Sequence, residues 1–241
     1  MAKQHVELLN LPPLIEWDDL VQGRFIEKVN RFAGYVEVAG VRCYTHIPNP
    51  TPARELLTEG ADVLLIKTPG SKKTKFRLLA AKSGSIWATL DTAVPNVVFR
   101  EAIGRALLPE FAGRAIKKEG ARLGKSIIDF QLSGGSSAYV EVKSCTLVRN
   151  GTALFPDAIT ERGRRHLTEL EMAVSNGGEA YMVWIIQRPD AEELKPFREK
   201  DPAFAEETVR AKDTGVGLLA YKCRFDTHSL SLVGRVPVVV N

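Results

Sequence analysis

Cysteine is scarce in this chain: Cys43, Cys145 and Cys223 are the only three in 241 residues. An odd number without metal-type spacing excludes a zinc ribbon and fits a reducing cytoplasm. Long apolar runs are missing too. Val63-Leu64-Leu65-Ile66 and Val236 to Val240 are among the longest, far short of the roughly 20 residues a membrane span needs, so the sequence predicts no spanning helix and no membrane partner. Met1 to Glu7 carries polar and acidic residues where a signal peptide would place its apolar run, which predicts no export. No internal repeat is present. What remains, 44% hydrophobic and 26% charged residues, is the make-up of a globular protein large enough for one domain or two.

The net charge of +4 excludes nothing by itself, but its distribution is informative. From Leu20 to Leu90 there are 11 Lys or Arg against 5 Asp or Glu, whereas the rest of the chain is slightly acidic. The densest basic stretch is Lys72-Lys73-Thr74-Lys75-Phe76-Arg77, just after the turn signal Pro69-Gly70-Ser71. It reads either as a phosphate-contacting hairpin tip or as a solvated turn kept soluble by lysines.

The apolar periodicity changes once along the chain. Short β segments are predicted at 24–32, 35–39, 41–47, 62–68, 76–82 and 85–90, with a helical turn at 53–57 after the proline-rich Pro48 to Pro52. Three strands, a helical turn and further strands is the order of an OB-fold barrel, an architecture often used on nucleic acid. A barrel that binds nothing, or that serves as a homodimer surface, is the alternative.

Beyond Thr89 the pattern becomes α/β. Asn96 is predicted to cap a helix reaching about Leu107, followed by strands at 114–118, 126–132 and 138–143. Thr160 is expected to cap a longer helix with an apolar stripe of Leu167, Leu170, Ala173 and Val174, and Arg162 and His166 lie four apart on another face. A strand at 180–186, a polar connection over 187–201, a helix at 202–211 and a strand at 217–224 complete the pattern. The expected architecture is mixed α/β (α+β), in two domains, 1–89 and 90–241.

Within the second half, Asp129 sits in Ile127-Ile128-Asp129-Phe130, and Glu141 and Lys143 sit in Val140-Glu141-Val142-Lys143, on two strands joined by Gly134-Gly135-Ser136-Ser137. A strand's period of two places Glu141 and Lys143 on one face. Charges in strand interiors flanked by apolar residues cost several kcal/mol each unless paired or bound to a cation. Two hard carboxylate donors suit Mg²⁺ or Mn²⁺, and an adjacent lysine can orient a water or steady a phosphate. Asp129 and Glu141 are therefore candidate metal ligands, with the Val142 carbonyl as a further one. Asp129, Glu141 and Lys143 together are candidate catalytic residues for phosphodiester hydrolysis. Glu101 and Glu161 are candidate auxiliary acids, each also readable as an ordinary surface glutamate.

Several segments together resemble the sugar fermentation stimulation protein A family from about Gly23 to Val239. They are Arg31-Phe32, His46-Ile47-Pro48-Asn49, Glu55-Leu56-Leu57, Asp91-Thr92, Pro95-Asn96, Asp129-Phe130, Glu141-Val142-Lys143-Ser144 and the run from Phe155 to Gly163 followed by His166-Leu167. The resemblance implies an N-terminal OB-fold followed by a domain similar to PD-(D/E)XK nucleases, with DNA binding and a regulatory role in sugar utilisation. It also implies that Asp157, Arg162 and His166 lie beside the carboxylate site. Two departures stand out: Pro50-Thr51-Pro52 where the family usually has Thr-Gly-Arg, and Ile127 where it commonly has arginine.

The sequence reading is thus a cytoplasmic DNA-binding protein with a nuclease-type site taking Mg or Mn. Lys72, Lys73, Lys75, Arg77, Arg162 and His166 are its candidate nucleic-acid contacts, and Tyr35, Tyr44 and Phe76 are candidate stacking faces. The alternative is a regulatory or interaction protein whose nuclease-like domain is catalytically inactive.

Overall fold

The computed structural model describes residues 11–70 and 73–240, together with the backbone of Val6–Glu7. Two short strands, β1 (Val6–Glu7) and β2 (Ile15–Glu16), precede the first large unit and pair antiparallel with the last strand of the chain. That unit contains β3 (Val21–Asn30), β4 (Ala33–Val38), β5 (Val41–His46), β6 (Asp62–Lys67), β7 (Phe76–Ser83) and β8 (Ile86–Thr89). Its order is β5-β4-β3-β6-β7-β8, and β5 also pairs parallel with β7, which closes five strands into an OB-like barrel. The segment 53–57 makes a single hydrogen-bonded turn, with both Leu56 N and Leu57 N donating to the Ala53 carbonyl.

The run Val63 to Leu65 shows why the barrel strands are so apolar. Val63 and Leu65 enter the barrel interior, whereas Leu64 joins the core shared with the rest of the chain. Leu78 and Ala81 of β7 face inward likewise, and Leu79 and Ala80 face outward onto that shared core. Both faces of these strands are buried, so alternation between apolar and polar disappears.

The second unit comprises α1 (Val94–Gly104), β9 (Ala115–Leu123), β10 (Ser126–Ser133), β11 (Ala138–Cys145), β12 (Val148–Arg149), β13 (Thr152–Phe155), α2 (Glu161–Ser175), β14 (Glu179–Ile186), β15 (Glu193–Pro196), α3 (Pro202–Thr214), β16 (Gly217–Phe225) and β17 (Ser229–Val236). The main sheet runs β1-β17-β16-β14-β11-β10-β9, parallel at its centre and antiparallel at both sides. Along β14, Val183 and Ile185 pack with α1 and the barrel, while Ala180, Met182, Trp184 and Ile186 pack under α2 and α3. Leu167 and Leu170 of α2 are fully buried there, worth about 1.5–3 kcal/mol each.

Four local expectations are corrected. The first helix starts at Val94 with Ala93 at its cap, because Pro95 presets the first turn and Asp91 Oδ1 accepts Ala93 N at 2.9 Å. Asn96 therefore lies inside the helix and its side chain is free for another task. β9 runs on to Leu123 through exposed Lys117, Lys118 and Glu119, as suits the edge of a sheet. The segment 187–201 is no solvated connection: Gln187, Arg188, Ala191 and Leu194 are buried, and β15 pairs parallel with β13. Finally, β17 forms a strand that sequence periodicity did not mark. Thr160, by contrast, caps α2 as expected, its Oγ1 accepting Gly163 N at 3.0 Å.

Candidate active site

Strands β10 and β11 pair only from Phe130↔Val140 to Leu132↔Ala138, and Asp129 has a register partner in neither neighbouring strand. The two strands fork at this point, and side chains take over the freed backbone donors. Val142 N donates to Asp129 Oδ2 at 2.9 Å, and Asp129 N approaches Glu141 Oε2 at 3.4 Å. The fork satisfies backbone groups that would otherwise be buried without partners. It also sets the two carboxylates side by side.

Asn96 completes the hold on Asp129, its Nδ2 donating to Oδ1 at 3.0 Å. Glu141 is only 2% exposed and His166 1%. Glu141 Oε1 receives the Lys143 ammonium and, at 2.5 Å, His166 Nδ1. Arg162 Nε donates to His166 Nε2 at 3.3 Å, which makes Nε2 the acceptor and leaves the ring proton on Nδ1, facing Glu141. The chain Arg162, His166, Glu141, Lys143 thus runs from the exposed start of α2 into the fork.

The two carboxylates titrate in opposite directions. Burial, and secondarily the negative charge of Glu141, push Asp129 above the usual aspartate range despite its hydrogen bonds from Val142 and Asn96. Burial acts upward on Glu141 as well, but the hydrogen bonds from His166 and Lys143 and the charge of Lys143 outweigh it and hold Glu141 below the usual range. Asp129 is consequently the member of the pair that carries uncompensated negative charge.

The fork opens on a cavity of about 330 Å³ lined by Asp129, Glu141, Lys143 and Asn96 on one side and by the barrel loop Asn49 to Thr51 on the other. Asp157 and Arg162 line it too and His166 contacts Glu141, so the fold brings Asp129, Glu141, Lys143, Asp157, Arg162 and His166 together. Two carboxylates, Glu141 buried and Asp129 half-buried, that repel each other and face a cavity fit a hard divalent cation in donor type and charge. Among the described residues no cluster of three or more His, Cys, Asp or Glu side chains has the spacing of a metal site, so a cation here would draw on Asp129 and Glu141 together with uncharged donors.

The basic cluster lies elsewhere and is divided. Lys72 falls outside the described residues, Lys73 and Lys75 are exposed ahead of β7, and Arg77 is paired with the buried carboxylate of Asp91. Phe76 packs on the barrel core, whereas Tyr35 and Tyr44 sit opposite each other with centroids 5.4 Å apart and Arg42 over the Tyr35 ring at 3.9 Å. Glu101 pairs with Arg105 at 3.1 Å, and Glu161 is exposed in the first turn of α2. Neither lines the cavity.

Sequence reasoning missed three contributors. Asn96, predicted to cap its helix, is the first. Lys28 pins the barrel loop through hydrogen bonds to the Asn49 and Thr51 carbonyls at 2.8 and 2.5 Å. Gln187, fully buried, accepts from Thr89 of the barrel and donates to Ser144 Oγ at 2.5 Å, next to Lys143. For Asn96 the Pro95-Asn96 segment was a usable signal; for Lys28 and Gln187 there was none.

A closed OB-like barrel joined through a shared core to a mixed sheet with a carboxylate fork defines a two-unit α+β protein. The family description "SfsA N-terminal OB domain" matches residues 26–90, and "Sugar fermentation stimulation protein RE domain" matches residues 93–229. The chain belongs to the sugar fermentation stimulation protein family. A homologue from Caldanaerobacter subterraneus subsp. tengcongensis is 39% identical over 223 residues, 92% of this chain and 97% of the relative. One from Acetivibrio thermocellus is 37% identical over 227 residues, with the same coverage of 92% and 97%. The solved structure described as Pyrococcus furiosus SfsA in complex with Ca²⁺ superimposes with a TM-score of 0.90 at 28% identity, covering 95% of this chain and 100% of the other. The resemblance read from the sequence and the expected fold class both hold. No helix among the described residues is long and apolar enough to cross a membrane.

Proposed function

We propose that this chain is a DNA-binding protein of two domains, dividing near Thr89, whose second domain uses the Asp129–Glu141 fork as a divalent-cation site for phosphodiester hydrolysis. The observation that carries this reading is the fork itself, two carboxylates left facing each other over a cavity that the barrel loop covers from the opposite side. A relative described as a Ca²⁺ complex supports a hard divalent cation as the kind of ion involved. When bound, such a cation would polarise the scissile phosphate and lower the pKa of an attacking water.

The chain's own residues have distinct tasks in this reading. Asp129, held by Val142 N and Asn96, and Glu141, held by His166, present oxygen donors in fixed orientations. Lys143 brings an ammonium that lines the cavity close to Glu141 and steadies the phosphate or orients the water. His166 and Arg162 keep Glu141 ionised and aligned at the cavity wall.

A second reading has its own support: Glu141 Oε1 is already engaged by both Lys143 and His166, as in a structural ion-pair cluster of a regulatory protein without catalysis. Incubation with single-stranded and duplex DNA, with and without Mg²⁺ or Mn²⁺, separates the two. The nuclease reading expects metal-dependent cleavage that Lys143→Ala abolishes while binding persists. Binding without cleavage under every metal condition supports the regulatory reading, and absence of binding removes both DNA readings.

A further inference from the structure

A second cavity, of about 340 Å³, opens on the seam between the barrel and the second domain and shares Leu147 and Asp157 with the one over the fork. The loop from Asn49 to Glu55 separates them: its first three residues line the fork cavity, and Pro52 to Glu55 line the second. Lys28 fixes that wall from below through the Asn49 and Thr51 carbonyls.

The second cavity gathers cations from three separate segments. Arg54 comes from the barrel loop, Arg149 from β12, and Lys200 from the turn before α3. All three side chains are exposed, against the carboxylates of Glu55 and Asp157 in the same lining. None of the three cations takes part in an ion pair among the described residues. This differs from Arg77, which is spent on Asp91. The Arg149 guanidinium stands over the half-buried Phe197 ring, 5.3 Å from its centre, forming a cation–aromatic platform at the cavity wall. Unpaired cations beside an aromatic face are the pairing that a single nucleic-acid strand requires, cations for the backbone and a π-face for a base.

We infer that this seam cavity is the subsite for the single-stranded segment adjoining the nucleotide over the fork, with Arg54, Arg149 and Lys200 facing its phosphates and the Arg149–Phe197 platform taking a base. The inference rests on the nucleic-acid reading above. It differs from the sequence expectation in moving the principal contact from the Lys72 to Arg77 turn to the seam. Because the two cavities share a wall at Leu147 and Asp157, one strand can occupy both without leaving the protein surface.

The test uses the full chain and labelled single-stranded and duplex oligodeoxynucleotides of mixed sequence, followed by anisotropy across a salt series. The combined Arg54→Gln, Arg149→Gln and Lys200→Gln variant is expected to lower the slope of log K against log salt by about 2, since each lost phosphate contact on a single strand removes roughly 0.7. Phe197→Leu, which keeps the apolar packing and removes the π-face, is expected to weaken single-strand binding about fivefold or more and to leave duplex binding unchanged. A folded triple variant with the parent's affinity and slope overturns the subsite while the DNA-binding reading stands. If the triple variant melts below the parent, the single Arg54→Glu exchange at an exposed loop position decides the same question, with parental binding again overturning the proposal. A parent that binds neither oligonucleotide at low salt removes the nucleic-acid reading itself, and the subsite with it.

Discussion

The turn ahead of β7 and the fork between β10 and β11 both concentrate charge, yet they stand in opposite physical situations. Lys73 and Lys75 are exposed, so water solvates them whether or not anything binds. Glu141 is buried and Asp129 half-buried, and each carboxylate oxygen has been given a protein donor. A charge in water costs almost nothing to keep, whereas a buried one costs several kcal/mol unless its surroundings are built for it. The position of the fork residues is therefore specified by many neighbours, and that of the lysines by very few. Changes at the two places should differ accordingly in their effect on folding.

The largest effect is expected for Glu141→Ala, which leaves Lys143 and His166 in the fork without their shared acceptor. A loss of about 3–5 kcal/mol is expected in urea unfolding, the usual cost of breaking one side of a buried pair. A loss below 1 kcal/mol would show that water reaches the fork freely and would erase the contrast. Next comes Gly124→Ala in the β9–β10 turn. Its φ of +54° is unfavourable for alanine, and the added Cβ would stand 1.9 Å from Glu169 Oε2, whose partner oxygen accepts Lys125 N. A cost of about 2–3 kcal/mol is expected, read from the same unfolding curves.

Asp129→Asn should act in the opposite direction. The folded pKa of Asp129 is raised, so the stability tied to its protonated form is present at low pH and is lost as pH rises from the ordinary aspartate value of 3.8 through the folded one. Above that window the ionised group weakens the fold. Asn removes this loss, and Asn96 can turn its amide to offer an oxygen to the new donor. The variant is expected to be more stable than the parent at neutral pH without metal and to lose any rise in Tm on adding Mn²⁺. Thermal scans between pH 4 and 8 check both. A parent and variant whose stabilities stay parallel over that range would sink the assignment of the uncompensated charge to Asp129. The smallest effect on folding is expected for Lys73→Gln with Lys75→Gln, within about 0.5 kcal/mol as for ordinary surface changes. A Tm that falls well beyond this would show that the turn is structural after all.

Local chemistry made much of this legible. Thr160 caps α2 because a hydroxyl before an apolar-periodic run satisfies an orphan N–H wherever such a run folds. Glu141 and Lys143 share a face because strand period alone demands it, and their apolar neighbours already implied burial. The length and edge position of β9, the pairing of β15 with β13 and the buried course of 187–194 were not legible, since each depends on which strand lies alongside.

The order of barrel and mixed sheet, the helices with their apolar stripes, and the candidate set Asp129, Glu141, Lys143, Arg162 and His166 can all be read along the chain. These follow from periodicity, turn chemistry, the cost of burying charge and the family's motifs, all of which are carried by residues close together in the chain. The folded arrangement is what makes Asn96 hold Asp129 instead of capping its helix, pairs Arg77 with Asp91, ties the barrel to the site through Lys28 and Gln187, and gathers Arg54, Arg149 and Lys200 at one seam. Each of those contacts joins segments remote in sequence. A side chain's partner is set by which surfaces the shared core brings together, and no local pattern records that.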